Sequence, residues 1–142
     1  MNAKDSFARL ATGLHRAIYQ ASRGKVGGTG LGMPVVVLTT TGRTSGKPRP
    51  TMLTVPYEWD DKITLVASNG GDTREPSWCL NLRANPEVEV TLRGETRKMR
   101  AHVADAAERA NLWPKITAAH KNYAGYQRRT DREIPVVILE PA

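Results

Sequence analysis

A chain of 142 residues has the length of one domain, and its composition, 39% hydrophobic and 25% charged, is that of a globular protein. The net charge of +7 attracts nucleic acid, acidic lipid or a phosphorylated small molecule, so charge alone selects no partner. One cysteine excludes an intrachain disulfide, and no apolar run approaches the roughly 20 residues of a membrane span. We therefore expect a soluble cytoplasmic protein.

The first 33 residues differ in pattern from the rest of the chain. Residues 5–21 carry apolar side chains at helical spacing, which predicts an amphipathic helix: Phe7, Leu10, Leu14 and Ile18. A helix packed on the domain is the simpler interpretation, and a helix touching an anionic membrane or bending over a ligand is the alternative. Residues 22–34 are rich in glycine and predict a mobile connector. The chain therefore divides into an N-terminal helix with its linker, 1–33, and a main domain, 34–142.

From Pro34 the pattern changes to alternation and to β-forming residues. Six strands are predicted: Val35–Thr40, Arg49–Glu58, Lys62–Ser68, Glu87–Arg93, Thr96–Asp105 and Pro135–Glu140. Asp60-Asp61 and Gly94-Glu95 are short enough to close hairpins.

Two helices interrupt the strands. The segment "EPSWCLNLRANP" (75–86) predicts a short helix that Asn85-Pro86 ends. Asp105 and Glu108 have the spacing of a capping box, and their helix should reach about His120, with Pro114 kinking or splitting it. We predict a mainly β (α+β) fold, a six-stranded, mostly antiparallel small barrel with helices on its outside.

The stretch "TTTGRTSGKPRP" (39–50) resembles a phosphate-binding loop, although its glycine spacing and the proline after Lys47 exclude a Walker A motif. An ordinary solvated turn is the alternative. A second glycine-rich loop, "VASNGG" (66–71), and a helical face carrying Trp78 and Asn81 favour a ligand site. Together these features suit a large anionic ligand with a flat ring.

Other chemistry is less well supported. The three histidines lie far apart in sequence, so we predict no metal site. Cys79 follows Trp78 and is expected to be a buried small side chain rather than a nucleophile. The basic residues are spread along the chain without a recognised motif, so nucleic acid is not an expected partner. Tyr123 and Tyr126, three apart in a segment that reads as a loop or loose helix, could donate a proton or simply pack over the barrel.

The chain resembles the deazaflavin-dependent nitroreductase family, which binds coenzyme F-420, over residues 34–141. Five segments in order carry the resemblance: "LTTTGRTSGKPR", "VASNGG", "PSWCLNLRANP", "WP" at 113–114 and "YAGYQRRTDREIP". It implies a split β-barrel related to flavin-mononucleotide-binding oxidoreductases. It also implies hydride transfer from the reduced deazaflavin to an enone, a quinone or a nitroaromatic compound.

The resemblance also implies roles for individual residues. Cofactor contacts are expected from Arg43, Thr44, Ser45, Arg49, Pro50, Thr51, Met52, Leu53, Thr54, Ala67, Ser68, Asn69, Trp78 and Asn81. Thr44 and Asn69 stand where relatives often carry lysine, so part of the tail-binding charge is expected to be missing or to have moved to Lys47 or Arg74. Tyr123 falls where the family places a tyrosine near substrate and ring, and the substrate side is expected to include Ser68, Tyr126 and His120, which stands where a relative has tyrosine. Because a phenol is protonated at neutral pH, we expect Tyr123 to be the proton donor; the alternative is that it only positions the substrate while water supplies the proton.

Two alternatives stay open at this point. The chain could bind F-420 without turning it over, as a carrier, or could use flavin mononucleotide on the same barrel. The sequence also leaves open a monomer or a homodimer.

Overall fold

The computed structural model describes residues 29–30 and 33–142. The predicted N-terminal helix and most of the predicted linker lie outside the described residues. The strands are β1 (Thr29–Gly30), β2 (Met33–Thr41), β3 (Pro48–Thr54), β4 (Glu58–Trp59), β5 (Lys62–Val66), β6 (Glu87–Leu92), β7 (Glu95–Val103) and β8 (Val136–Pro141). The helices are α1 (Ser77–Ala84), α2 (Ala106–Ala119) and α3 (Asn122–Arg128), with a 3-10 turn at Asn69–Gly71.

All strand pairs described are antiparallel and form one sheet in the order β1-β2-β6-β7-β8-β5-β4, with β3 also paired to β2. Only residues 55–57 separate β3, at one end of this arrangement, from β4 at the other. The sheet must therefore curl until its two ends approach, which gives a barrel rather than a flat layer. The predicted mainly β, split-barrel-like fold is confirmed.

Two hydrophobic clusters form the core of the described part of the chain. The larger contains inward side chains of the barrel, such as Val36 and Leu65, together with Cys79 and Leu82 of α1. The smaller lies beneath α2 and α3 and contains Ile116, Tyr123, Ile134 and Ile138. Helix α1 is thus attached to one region of the barrel, whereas the helix that carries the tyrosines packs on another.

Several predicted strand and linker boundaries are wrong, each for an identifiable reason. The single strand expected over 49–58 is two strands, because Val55 and Pro56 are buried and Pro56 has no N–H to give to a sheet. The second hairpin turns at Arg93-Gly94, both with positive φ (51° and 80°), one residue earlier than predicted. Met33, placed in the linker, is 1% exposed and begins β2, and Thr29–Gly30 pairs with it, so the boundary at 33/34 falls inside a strand pairing.

The helices differ from expectation in two respects. The capping box of Asp105 and Glu108 is present in both directions, and α2 continues through Pro114 to Ala119 without splitting. The segment around Tyr123 and Tyr126, expected to be a loop or loose helix, is the regular helix α3. No helix in the described part of the chain is long and apolar enough to cross a membrane.

Candidate active site

A groove of about 440 Å³ lies where the loop after β2 meets the start of β3 and helix α1. Its walls are Gly42, Arg43, Thr44, Ser45, Arg49, Pro50, Thr51, Ser77, Trp78 and Asn81. The loop closes through a hydrogen bond from the N–H of Gly42 to the carbonyl of Lys47 (2.8 Å). A Cβ at Gly42 would lie 2.5 Å from Ser45 Oγ and 3.3 Å from the carbonyl oxygen of Lys47, so a larger residue here would displace the Ser45 hydroxyl from its place beside Arg49.

One wall of the groove is tied to the barrel through Asn81. Its buried side chain accepts hydrogen bonds from Arg43 Nη1 (2.8 Å) and from the backbone N–H of Arg43 (3.2 Å). Its amide nitrogen donates to Thr40 Oγ1 (3.1 Å), inside the barrel. The side chain of Asn81 therefore holds the Arg43 guanidinium at the groove wall, and Asn81 itself is not a separate ligand-binding group.

The groove is electrostatically positive. Arg43 and Arg49 both line it, no carboxylate does, and neither arginine has a carboxylate partner among the described residues. Arg49 Nη2 donates to Ser45 Oγ (3.2 Å), which keeps the guanidinium beside the loop. Exposed guanidinium groups next to hydroxyls are suited to phosphate and carboxylate groups, because they donate several charge-assisted hydrogen bonds.

A second, smaller pocket of about 180 Å³ lies at the far end of β3. It is lined by Leu53, Thr54, Leu65, Val66, Ser68, Asn122, Tyr123 and Tyr126. Apolar walls with a few hydroxyls are typical of sites for planar organic molecules.

Tyr123 is the most buried phenol at this pocket, with 5% of its surface exposed. Its hydroxyl is hydrogen-bonded to Thr54 Oγ1 (3.0 Å) and donates to Met33 Sδ (3.7 Å). Burial raises the pKa of Tyr123, although the hydrogen bond to Thr54 partly opposes this. Tyr126 meets the Tyr123 ring edge-on at 6.0 Å between centroids. The phenol therefore stays protonated throughout the neutral pH range.

Strand β3 connects the two cavities. Arg49, Pro50 and Thr51 line the groove, whereas Leu53 and Thr54 line the pocket. At about 3.3 Å per residue, Arg49 and Thr54 lie roughly 17 Å apart along the strand. The side chain between them, Met52, is 44% exposed and is the large hydrophobic residue that the described chain leaves open to solvent. An elongated molecule could therefore lie along β3 with its charged end in the groove.

Some predicted site residues line neither cavity. Their side chains have other surroundings: Lys47, Met52 and Asn69 are exposed, Ala67 is buried and His120 caps the end of α2. Asn69 donates through its amide to the carbonyl of Arg74 (3.2 Å). Each of these five residues is close in sequence to a lining residue.

Sequence reasoning missed other members of the two cavities. Gly42 and Ser77 belong to the groove, and Leu65, Val66 and Asn122 belong to the pocket. Ser77 directly precedes Trp78 at the first turn of α1, so its position beside that residue was the available signal. Val66 begins the glycine-rich loop 66–71, which was its signal. Leu65 has none, because a buried aliphatic residue of a strand looks the same whether or not a pocket adjoins it.

The cysteine is inert in this fold. Cys79 is fully buried in α1, and desolvation, reinforced by the charge of Glu75, raises the pKa of its thiol to about 12. A thiol with that pKa is protonated at neutral pH and is a poor nucleophile.

Comparison with known proteins relates this chain to a described family. Residues 12–141 match the family model for F-420H(2)-dependent quinone reductase. An F-420H(2)-dependent quinone reductase of Mycobacterium tuberculosis is 41% identical over 133 residues, covering 89% of this chain and 87% of the relative. A solved structure of an F-420-H2-dependent reductase (FDR-A) is 42% identical with a TM-score of 0.68, covering 75% of this chain and 94% of that chain.

A further solved structure, described as a domain-swapped dimer, is 38% identical with a TM-score of 0.69 and covers 89% of this chain and 98% of that chain. The family match extends across both cavities and agrees with the resemblance drawn from the motifs. The chain belongs to the F-420H(2)-dependent quinone reductase family.

Proposed function

We propose that this chain is an oxidoreductase that transfers a hydride from reduced coenzyme F-420 to a quinone-type acceptor. The observation that supports it best is the continuity of β3, which joins a cationic groove to a tyrosine-lined pocket. The family description and the names of the relatives agree with the cofactor and the reaction that the motifs predict.

The groove fits the anionic part of such a cofactor. Arg43, Ser45 and Arg49 would hold its phosphate and acidic tail, with Thr44 and Ser77 adding hydroxyl donors. Trp78 would form the apolar wall. Residues 50–54 would follow the cofactor along β3 toward the pocket.

The pocket supplies the remaining functions. The deazaflavin, when bound, provides the hydride as a two-electron carrier. Leu53, Leu65 and Val66 exclude water from the acceptor, and the two tyrosine rings restrict it to a flat orientation. The protonated Tyr123 Oη would donate a proton or a hydrogen bond to the acceptor oxygen, with Thr54 Oγ1 orienting that hydroxyl. His120 lies outside the pocket, so we assign it no contact with substrate.

Reduced F-420 mixed with the chain and menadione is the direct test, followed by the return of the absorbance of oxidised deazaflavin. We expect rapid oxidation only when protein and quinone are both present, and slower oxidation with cyclohexenone or a nitroaromatic. Binding of F-420 without acceptor-dependent oxidation would indicate the carrier alternative. Flavin mononucleotide titrated in parallel should bind much more weakly, and equal affinity would refute the cofactor choice.

The remaining assignments are narrower. We propose a small-molecule acceptor as the partner and no nucleic acid. Light scattering after size exclusion distinguishes a monomer from the homodimer suggested by one structural relative. Vesicle co-sedimentation of the full chain, compared with a chain lacking residues 1–28, tests membrane contact and a purely cytoplasmic location.

A further inference from the structure

The loop after β5 and the loop before β8 are joined by one side chain. Arg132 donates through Nε to the carbonyl of Asp72 (3.0 Å) and through Nη2 to the carbonyls of Ala67 and Ser68 (both 3.1 Å). The segment 67–72 thus has both of its ends held by a single guanidinium. Residues 60 to 65 positions apart in sequence meet at this point.

The contact requires arginine. Its planar fork offers five N–H donors in different directions, whereas a lysine ammonium is a compact point that cannot reach three separated carbonyls at once. No carboxylate pairs with Arg132 among the described residues, since Asp72 is paired with Arg74 and Glu133 with Arg109. Nη1 is buried and has no hydrogen-bond partner in the described chain. The hydrogen bonds of this guanidinium to described residues therefore all go to main-chain carbonyls.

Two further contacts make the junction tight. Gly71 has φ +84°, and a Cβ there would lie 2.9 Å from Arg129 Cβ and 3.0 Å from the carbonyl of Tyr126. The N–H of Ala67 donates to the carbonyl of Pro135 (3.0 Å). The segment 67–72 is consequently packed directly against the end of helix α3.

The two joined segments form opposite parts of the pocket. Ser68 comes from the segment that Arg132 holds, and Tyr123 and Tyr126 come from α3, which leads into the Arg132 loop. The Arg132 backbone is itself fixed, because Gln127 of α3 donates to its carbonyl (2.8 Å). A change at Arg132 would therefore alter the spacing across the pocket without touching the cationic groove.

We infer that Arg132 is a positioning residue for hydride transfer: it clamps segment 67–72 against α3 and so sets the geometry between the cofactor ring and the acceptor. The inference rests on the proposed function and deepens it. Because a displacement of about 1 Å can cost 10²-fold in rate, loosening the clamp should slow the chemical step while the affinity for the cofactor tail is kept.

The test compares Arg132→Gln with Arg128→Gln, which removes the same charge from an exposed position at the end of α3. Hydrogen exchange of the ligand-free proteins reports directly on the clamp. The amides of Gly71 and Asp72, which are bonded to the carbonyls of Ser68 and Asn69, should exchange about tenfold faster in Arg132→Gln only. Single-turnover oxidation of reduced F-420 by menadione should slow by about 10- to 100-fold, with the dissociation constant of F-420 changed by less than about threefold.

Unchanged exchange, or an unchanged single-turnover rate, would overturn the inference, as would an equal effect of Arg128→Gln. A loss of F-420 affinity that matches the loss of rate would also overturn it, because that pattern indicates a general structural role. Should Arg132→Gln lack a cooperative thermal transition, Arg132→Lys replaces it with the same expected results. Lack of turnover in the parent chain would refute the proposed function, whereas normal turnover there with no change in the variant refutes the clamp alone.

Discussion

The hydroxyl of Tyr123 can be removed without emptying the space its ring occupies, so Tyr123→Phe separates proton donation from packing. The hydroxyl is held by Thr54 Oγ1 at 3.0 Å, and Thr54→Val removes that partner with little change of shape. One neutral hydrogen bond is worth about 0.5–1.5 kcal/mol of unfolding free energy. In a domain of this size each variant should therefore melt roughly 2–8 °C below the parent.

Activity should change much more than stability. If Tyr123 Oη donates the proton, turnover of menadione in Tyr123→Phe should fall by about 10²–10⁴ with F-420 affinity nearly unchanged. Thr54→Val should reduce turnover less, and should add nothing once Tyr123 is already phenylalanine, because both changes act on one hydroxyl. Burial raises the pKa of Tyr123 above its ordinary value, so this group should cause no alkaline loss of kcat below about pH 10.

Steady-state kinetics at several pH values and thermal melts of the four chains complete the cycle. Tyr57→Phe is the matched control, since Tyr57 lies in neither the groove nor the pocket. Turnover preserved in Tyr123→Phe would remove the phenol from the chemistry. Fully additive effects of the two substitutions would show that Thr54 does not act through Tyr123.

Three further outcomes are expected. Arg49→Ala should weaken F-420 binding about 10- to 150-fold at low salt (roughly 1.5–3 kcal/mol), and the loss should be smaller at high salt. Lys47→Ala should weaken binding less than Arg49→Ala does, and equal losses for the two variants in a fluorescence titration would contradict the assignment of the groove. Burial raises the pKa of the Cys79 thiol from 9.0 to about 12, so only the unfolded chain loses this proton between pH 9 and 12. Over that range the unfolding free energy of the parent should therefore fall by up to about 4 kcal/mol more than that of Cys79→Ala. Parallel denaturation profiles of the two proteins would argue against this effect. Burial raises the pKa of Glu89 above 4.5, so Glu89→Gln should raise the melting temperature at pH 7 but not near pH 4, and a gain at both pH values would require another explanation.

Local patterns predicted much of the fold. The runs of β-forming residues in β2 and β5, the alternation in β6 and the Asp105–Glu108 capping box each involve only a few consecutive residues, and the structure contains them. The sequence left α3 between a loop and a loose helix because Gly125 and its polar neighbours favour a loop, whereas burial of Tyr123 in the second cluster stabilises the helix. Tertiary packing outweighed local propensity there.

The site divides in the same way. The groove could be anticipated because its cations and hydroxyls are adjacent in one loop, as Arg43, Thr44 and Ser45 show. The role of Arg132 could not be anticipated, since its partners are main-chain carbonyls more than fifty positions away and every residue carries a carbonyl. Contacts made to backbone leave no pattern in the side chains of the sequence.

The link from Thr40 through Asn81 to Arg43 has a thermodynamic consequence for ligand capture. The Arg43 guanidinium has its rotamers restricted during folding, by an amide anchored inside the barrel, before any anion arrives. Arg49 is held only by a hydroxyl of an exposed loop and keeps more rotational freedom until it binds. Immobilising such a side chain costs about 0.5–1.5 kcal/mol. The two arginines should therefore contribute differently to the binding entropy. Arg43 is already fixed in the free protein and loses little side-chain entropy when the ligand binds, whereas Arg49 becomes ordered only on binding and loses more.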